Sequence, residues 1–449
     1  MDSLNERPPR EWGGECVTVE DVRAIRQFLT EHGTFQFPSL PNGLFAAAAG
    51  EGDDFESTGY RNIWLRDNIH IAWAHWFVSG DPAKAVDCVH SLLTFYSRHL
   101  SRFTDIIEGR KSADDPMDRP HIRFNGETLT ELPEKWSHAQ NDALGYLLWL
   151  SCRLASAGHL EITADFAAVL SGLVRYWQTI EVWQDEDSGH WEEARKIEAS
   201  SIGVVVAGLR SLLNLFDNPT SAGLLEAGPA GVTREAVTSL LQTTSAELDR
   251  ILPAECIQSD PRKARPVDAA LLFLVWPLQV VSRPVAEQIV SNVKQALQGH
   301  IGIRRYNGDS YWCADYKQLL KADERTTDFS DNMDARDRLL QPGMEAQWCI
   351  FDPILSCIFG QWVTDADSTG QVSVAQARQL QREHLQRSLA QLTDGTGRFP
   401  AYRCPESWYC ENGVWGPNDI TPLLWTQGNL WQALNIMEQT ALLSEAAGE

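Results

Sequence analysis

Between residues 82 and 104, apolar side chains recur at Val86, Val89, Leu93, Tyr96 and Leu100, at alternating spacings of three and four. Such spacings put one stripe on a helix face. Pro82 stands at a first-turn position, where its missing N–H costs nothing. Similar periodicity predicts helices over 18–32, 66–79, 137–156, 161–181, 198–215, 231–250, 267–276, 283–297, 343–362, 373–392 and 422–444. Strand-like alternation beyond five residues is missing outside short apolar runs. The pattern predicts about twelve helices and an all-α fold. No fixed-period self-similarity marks a solenoid. No Gly/Ser- or Pro-rich linker splits the chain, and 216–230 comes nearest to one. The expectation is a single domain over 1–449, with 1–59 as an N-terminal helix and loop.

Three connections are long: 33–63, 105–135 and 300–342. Connections beyond about 12–15 residues in a compact domain are usually functional or disordered. Residues 314–342 are dense in Asp, Glu, Lys and Arg, which reads as a solvated flap.

Composition sharpens this picture in three ways. The 449 residues include 17 Trp against 9 Tyr, an excess that suits flat platforms for sugar rings as well as core packing. The net charge of −23 disfavours nucleic acid and anionic membrane surfaces as partners. The nine cysteines are scattered, form no CxxC pair and read as small buried hydrophobes. With no apolar leader segment and no apolar run of 18 residues, the expected location is cytoplasmic.

Two segments carry paired acid and indole. In Gly189-His190-Trp191-Glu192-Glu193-Ala194-Arg195, a carboxyl beside Trp191 in an apolar pocket would retain its proton. That is how a Glu becomes a general acid near neutral pH. The plain alternative is acid at a helix N-terminus. Pro405-Glu406-Ser407-Trp408-Tyr409-Cys410-Glu411 offers a second Glu beside aromatics, or merely a surface acid in a turn. Glu192 and Glu406 lie 214 residues apart, so only a fold that gathers distant loops makes them partners. Two carboxylates flanking a water, about 6.5–9.5 Å apart, are the arrangement for inverting glycoside hydrolysis.

Three other clusters suit a hydroxyl-rich ligand. Tyr60 to Asn68 contains Trp64 and the adjacent Arg66 and Asp67, a donor–acceptor pair for vicinal hydroxyls or a helix-capping ion pair. Trp136, Gln140 and Asp142 lead an apolar helix, either toward a ligand or into a buried polar network. Arg305 and Tyr306 stand in a Gly-containing turn with Trp312. GxSxG, Walker A and HExxH strings are missing, and no cofactor or metal is expected.

Taken in order, these strings resemble the glucoamylase family, glycoside hydrolase family 15. They also resemble the glucoamylase-like domain of phosphorylase kinase α and β regulatory subunits. The strings are Tyr60 with Trp64-Leu65-Arg66-Asp67; Trp136 with His138 to Ala143; Trp191-Glu192-Glu193 with Ser200 to Gly203; Arg305-Tyr306 with Asn307, Gly308 and Trp312; and Glu406 with Pro422 to Trp425. The resemblance implies an (α/α)6 barrel of six helical hairpins. It implies an inverting exo-acting hydrolase of short α-glucans or an α-linked disaccharide, or a glucan-binding regulatory domain that does not cleave. In it, Glu192 matches the general acid and Glu406 the base, with Glu411 as a rival. Tyr60, Trp64, Arg66, Asp67, Trp136, Gln140, Asp142, Trp191, Glu193, Arg305, Tyr306 and Trp425 match sugar-binding positions.

Overall fold

Six helices of this chain are buried on almost every side: Leu65–Ser79, Asn141–Ser156, Ala199–Leu215, Leu272–Val275, Phe351–Thr364 and Leu424–Ala447. A helix that is apolar all round belongs inside a larger assembly of helices. In the computed structural model each packs on the next, and the last packs on the first, closing a ring. The structure describes residues 18–49, 59–228, 231–365 and 370–447.

Outside the ring lie amphipathic helices whose buried face meets the inner set or a neighbour: Val19–Glu31, Ala83–Arg98, Ala164–Thr179, Arg234–Ile251, Arg283–Leu297 and Val374–Ala390. Six inner and six outer helices make the (α/α)6 barrel. Thr18 with Asp21, and Ser373 with Gln376, form capping boxes that start two outer helices. The inner helices pack closely enough to need glycine. A Cβ on Gly145 would sit 2.9 Å from the Val204 carbonyl carbon, and one on Gly208 would sit 3.0 Å from the Gly145 oxygen.

The structure departs from the sequence pattern at several places. The stretch 82–104 is two helices, broken at His99, with Ser101–Ile107 following. Residues 137–140 are not helical, and the helix starts at Asn141. The segment 216–230 contains the helix Pro219–Glu226, started by the Asn218 side chain with Pro219 in its first turn. Two small antiparallel sheets appear where almost no strand was expected. One joins Ile63–Trp64, Arg123–Asn125 and Thr130–Glu131; the other joins Gln347–Trp348, Ser407–Glu411 and Val414–Pro417. Strands of two to five residues are too short to show alternation.

Cys88, Cys152, Cys256, Cys313, Cys349, Cys357, Cys404 and Cys410 are buried with free thiols, while Cys16 and residues 50–58 lie outside the described residues. Among the described residues no single helix is long and apolar enough to cross a membrane.

Candidate active site

The inner helices begin at one end of the barrel. Arg66 and Asp67 open the first, Trp136 and Ser137 precede the second, and His190 to Glu192 precede the third. Trp348 precedes the fifth helix, and Leu423 and Trp425 flank the start of the sixth. All of these line one cavity. The fourth start joins them through Asp268, whose carboxylate accepts from the Trp191 indole at 3.0 Å. The space between the lining atoms, open mouth included, is about 850 Å³.

Helix N-termini expose unpaired N–H groups and attract negative charge. Two inner helices take a distant carboxyl group there rather than a local cap. Asp187 accepts from the Asn141 N–H at 2.8 Å, and Glu255 from the Ser200 N–H at 3.2 Å.

Glu192 occupies the turn before the third inner helix with φ +58°, a left-handed conformation that few non-glycine residues adopt. Strain of this kind concentrates at functional positions. Its Oε1 accepts from the Trp64 indole at 3.1 Å and from Gln140 Nε2 at 3.2 Å, and lies 3.6 Å from Arg66 Nη2. Burial raises its pKa, opposed by Arg66. Gly189, just upstream, has room for nothing larger, because a Cβ there would collide with the Glu198 carboxylate.

Glu406 immediately precedes the strand Ser407–Glu411, on another side of the cavity. Tyr60 donates to its Oε1 at 2.9 Å, Asn418 donates to its Oε2 at 2.6 Å, and the Tyr60 hydroxyl lies 3.1 Å from that of Tyr311. Burial pushes its pKa up to about 7, against the pull of those two donors. Glu411, the rival base, sits at the far end of strand Ser407–Glu411 and does not line the cavity. Asp67 lines the cavity beside them, and burial pushes it to about 7 as well. His190 is lowered to about 4 by burial, so it is neutral at physiological pH.

Tyr60, Trp64, Arg66, Asp67, Trp136, Trp191, Glu192, Arg305, Glu406 and Trp425 therefore share one cavity. Four of the expected sugar contacts do not line it. Gln140 and Asp142 lie beneath Arg66, receiving its guanidinium at 3.0 and 2.6 Å. Arg66 is thus paired with Asp142 and not with its neighbour Asp67. Glu193 and Tyr306 face an adjacent cavity. Glu193 is buried because four donors claim it: Tyr306 at 2.7 Å, Arg336 at 2.5 Å, Arg305 at 3.1 Å and Arg265 at 3.2 Å. These cations hold its carboxyl well below the usual range despite burial.

The sequence reading missed Arg336, Tyr311, Asn418, Arg265 and Asp268. Arg336 comes from the charge-dense connection expected to be a solvated flap, yet it is buried and lines the cavity. That expectation is corrected for the part of the connection around it: Thr326 to Phe329 also wall the cavity, and the connection contains helices Tyr316–Leu319 and Met333–Asp337.

With this geometry in place, the comparisons with known proteins become informative. The family model for glycosyl hydrolases family 15 matches residues 33–391. The chain belongs to that family. Its fold is similar to that of the glucoamylase from Saccharomycopsis fibuligera, with TM-score 0.61 at 12% identity over 97% of this chain and 99% of that one. It is also similar to a glycosidase solved in complex with glucose, with TM-score 0.60 at 17% identity over 93% and 96%. In sequence, 276 residues are 29% identical to a probable phosphorylase b kinase regulatory subunit alpha of Caenorhabditis elegans, covering 56% of this chain and 21% of the kinase subunit. A further 161 residues are 30% identical to the uncharacterized lipoprotein YgeQ of Escherichia coli K12, covering 32% of this chain and 60% of the lipoprotein. This family 15 chain thus spans a fifth to three fifths of those relatives.

Proposed function

We propose that the chain is an inverting, exo-acting α-glucoside hydrolase that releases glucose from the non-reducing end of an α-glucan or α-linked disaccharide. The observation that carries this reading is that Glu192 and Glu406 line the same cavity, beside Arg66 and Asp67. Glu192 gives its proton to the glycosidic oxygen as the bond from that oxygen to the anomeric carbon breaks. A water held by Glu406 forms the new bond from the opposite face, and Glu406 takes the water's proton. Arg66, fixed by Asp142 and Gln140, and Asp67 offer a donor and an acceptor to the hydroxyls of the terminal sugar. The indoles of Trp64, Trp136 and Trp425 supply flat apolar walls.

The test is incubation with maltotriose, isomaltose and trehalose, followed by proton NMR of the anomeric region. With maltotriose or isomaltose, β-glucose released first from the non-reducing end supports inversion and α-glucose overturns it; with trehalose, equal initial α- and β-glucose supports inversion and α-glucose alone overturns it. Glu192→Gln and Glu406→Gln should each lower kcat by about 10²–10⁴. A second reading is favoured by the kinase-subunit similarity: a glucan-binding regulatory domain without turnover. Sugar binding by calorimetry with no product from the wild type would select it.

A further inference from the structure

The charged connection between the fourth and fifth inner helices does more than wall the cavity. Residues 320–339 leave and return at points tied to the two acidic loops. On the return side, Arg336 reaches Glu193, the neighbour of Glu192, and shares Ser310 with Asp337 at 2.9 and 2.6 Å. On the outgoing side, Lys317 pairs with Asp419 at 2.8 Å, next to the Asn418 that holds Glu406. Arg325 returns to the Lys317 carbonyl at 3.2 Å and its own carbonyl accepts from Tyr316 at 3.0 Å. Both roots are thus fixed to the frame that carries the reacting groups.

The tip differs. Thr326, Thr327, Asp328 and Phe329 face the cavity. Beyond them Asp331 forms an ion pair with Lys135, which precedes Trp136 on another wall of the same cavity. Both partners are more than half exposed. Exposed pairs are weak and screened by salt. A firmly rooted flap is therefore joined across the cavity's edge by a labile tie.

We infer that residues 320–339 are a size-selecting lid, held over the sugar cavity by the Lys135–Asp331 pair, that restricts the site to short α-glucosides. This rests on the proposed hydrolase reading and narrows its substrate class. On this reading a longer chain leaves the cavity between the tip and the Trp136 loop, which requires that the pair be parted.

The experiment compares kcat/KM for disaccharides and heptasaccharides in the α-1,4 and α-1,6 series. The wild type should favour the disaccharide. Lys135→Ala and Asp331→Ala should each raise the heptasaccharide-to-disaccharide ratio at least threefold and leave disaccharide turnover within twofold. The double exchange Lys135→Asp with Asp331→Lys should bring the ratio back. Raising NaCl from 50 to 500 mM should lift the ratio in the wild type and not in the single variants. A wild type that prefers the heptasaccharide, or single variants with an unchanged ratio, overturns the lid. The same ratio is read as Kd by calorimetry in Glu192→Gln, so absence of hydrolysis overturns the hydrolase reading and leaves the lid under test. Binding of neither sugar overturns both.

Discussion

Glu406 is held by two donors, Tyr60 and Asn418, that favour its ionised form, inside a site whose burial disfavours it. Burial wins, and the carboxyl titrates at about 7. A base must be deprotonated to work, so kcat/KM should fall tenfold per pH unit as pH drops below about 7. Asn418→Ala removes one donor, raises that pKa further and should shift the acid limb of the pH profile upward, with the plateau at high pH largely retained. The same burial has a stability consequence. A carboxyl whose folded pKa lies above its unfolded value stabilises the fold below the unfolded value, and that contribution is lost as pH rises through about 7. Glu406→Gln should therefore be more stable than the wild type at pH 8, by about 1–3 kcal/mol, and no more stable at pH 4, as read by urea unfolding. Glu192 and Glu406 are legible in the sequence because each lies in a short string of acid and indole. Arg336 is not, because a charge in a run of charges reads as solvated. The distant Glu193 carboxylate and the Ser310 hydroxyl give it a reason to be buried. Glu193 matches a sugar contact through the family resemblance, and three guanidinium groups claim it instead.

At the scale of elements, the outer helices are legible from their stripes and most inner ones from sustained apolar character. What stays hidden is where they begin. Residues 137–140 and 343–350 carry helix-compatible side chains, but the backbone there is not helical, and Trp348 pairs with Ser407 in a small sheet. The break at His99 is similarly silent, since the apolar spacing runs through it unchanged. Close approach of inner helices depends on glycine at two facing places. Gly145→Ala should cost about 1–3 kcal/mol by pushing Asn141–Ser156 away from Ala199–Leu215, seen as a lower Tm. Because Asn141–Ser156 also carries Asp142, which fixes Arg66, the variant should raise KM for substrate as well.

For the whole molecule, the ring is legible as about twelve helices and the likeness of five ordered strings, whereas its closure is a tertiary fact. Leu424–Ala447 packs against both Leu65–Ser79 and Val19–Glu31, and Arg23 and Arg26 pair with Glu438 across that seam. Removing residues 424–449 should expose the apolar side of Leu65–Ser79, abolish cooperative thermal unfolding and produce strong binding of a hydrophobic dye. The seam also sets an order of events during synthesis. The carboxylate pair spans 214 residues, and the ring shuts only when its final helix docks on its first. Chains emerge from the ribosome N-terminus first. A nascent chain thus holds Trp64, Arg66 and Glu192 long before it has Glu406 or the segment that seals the circle, and the shared cavity is completed in one late step.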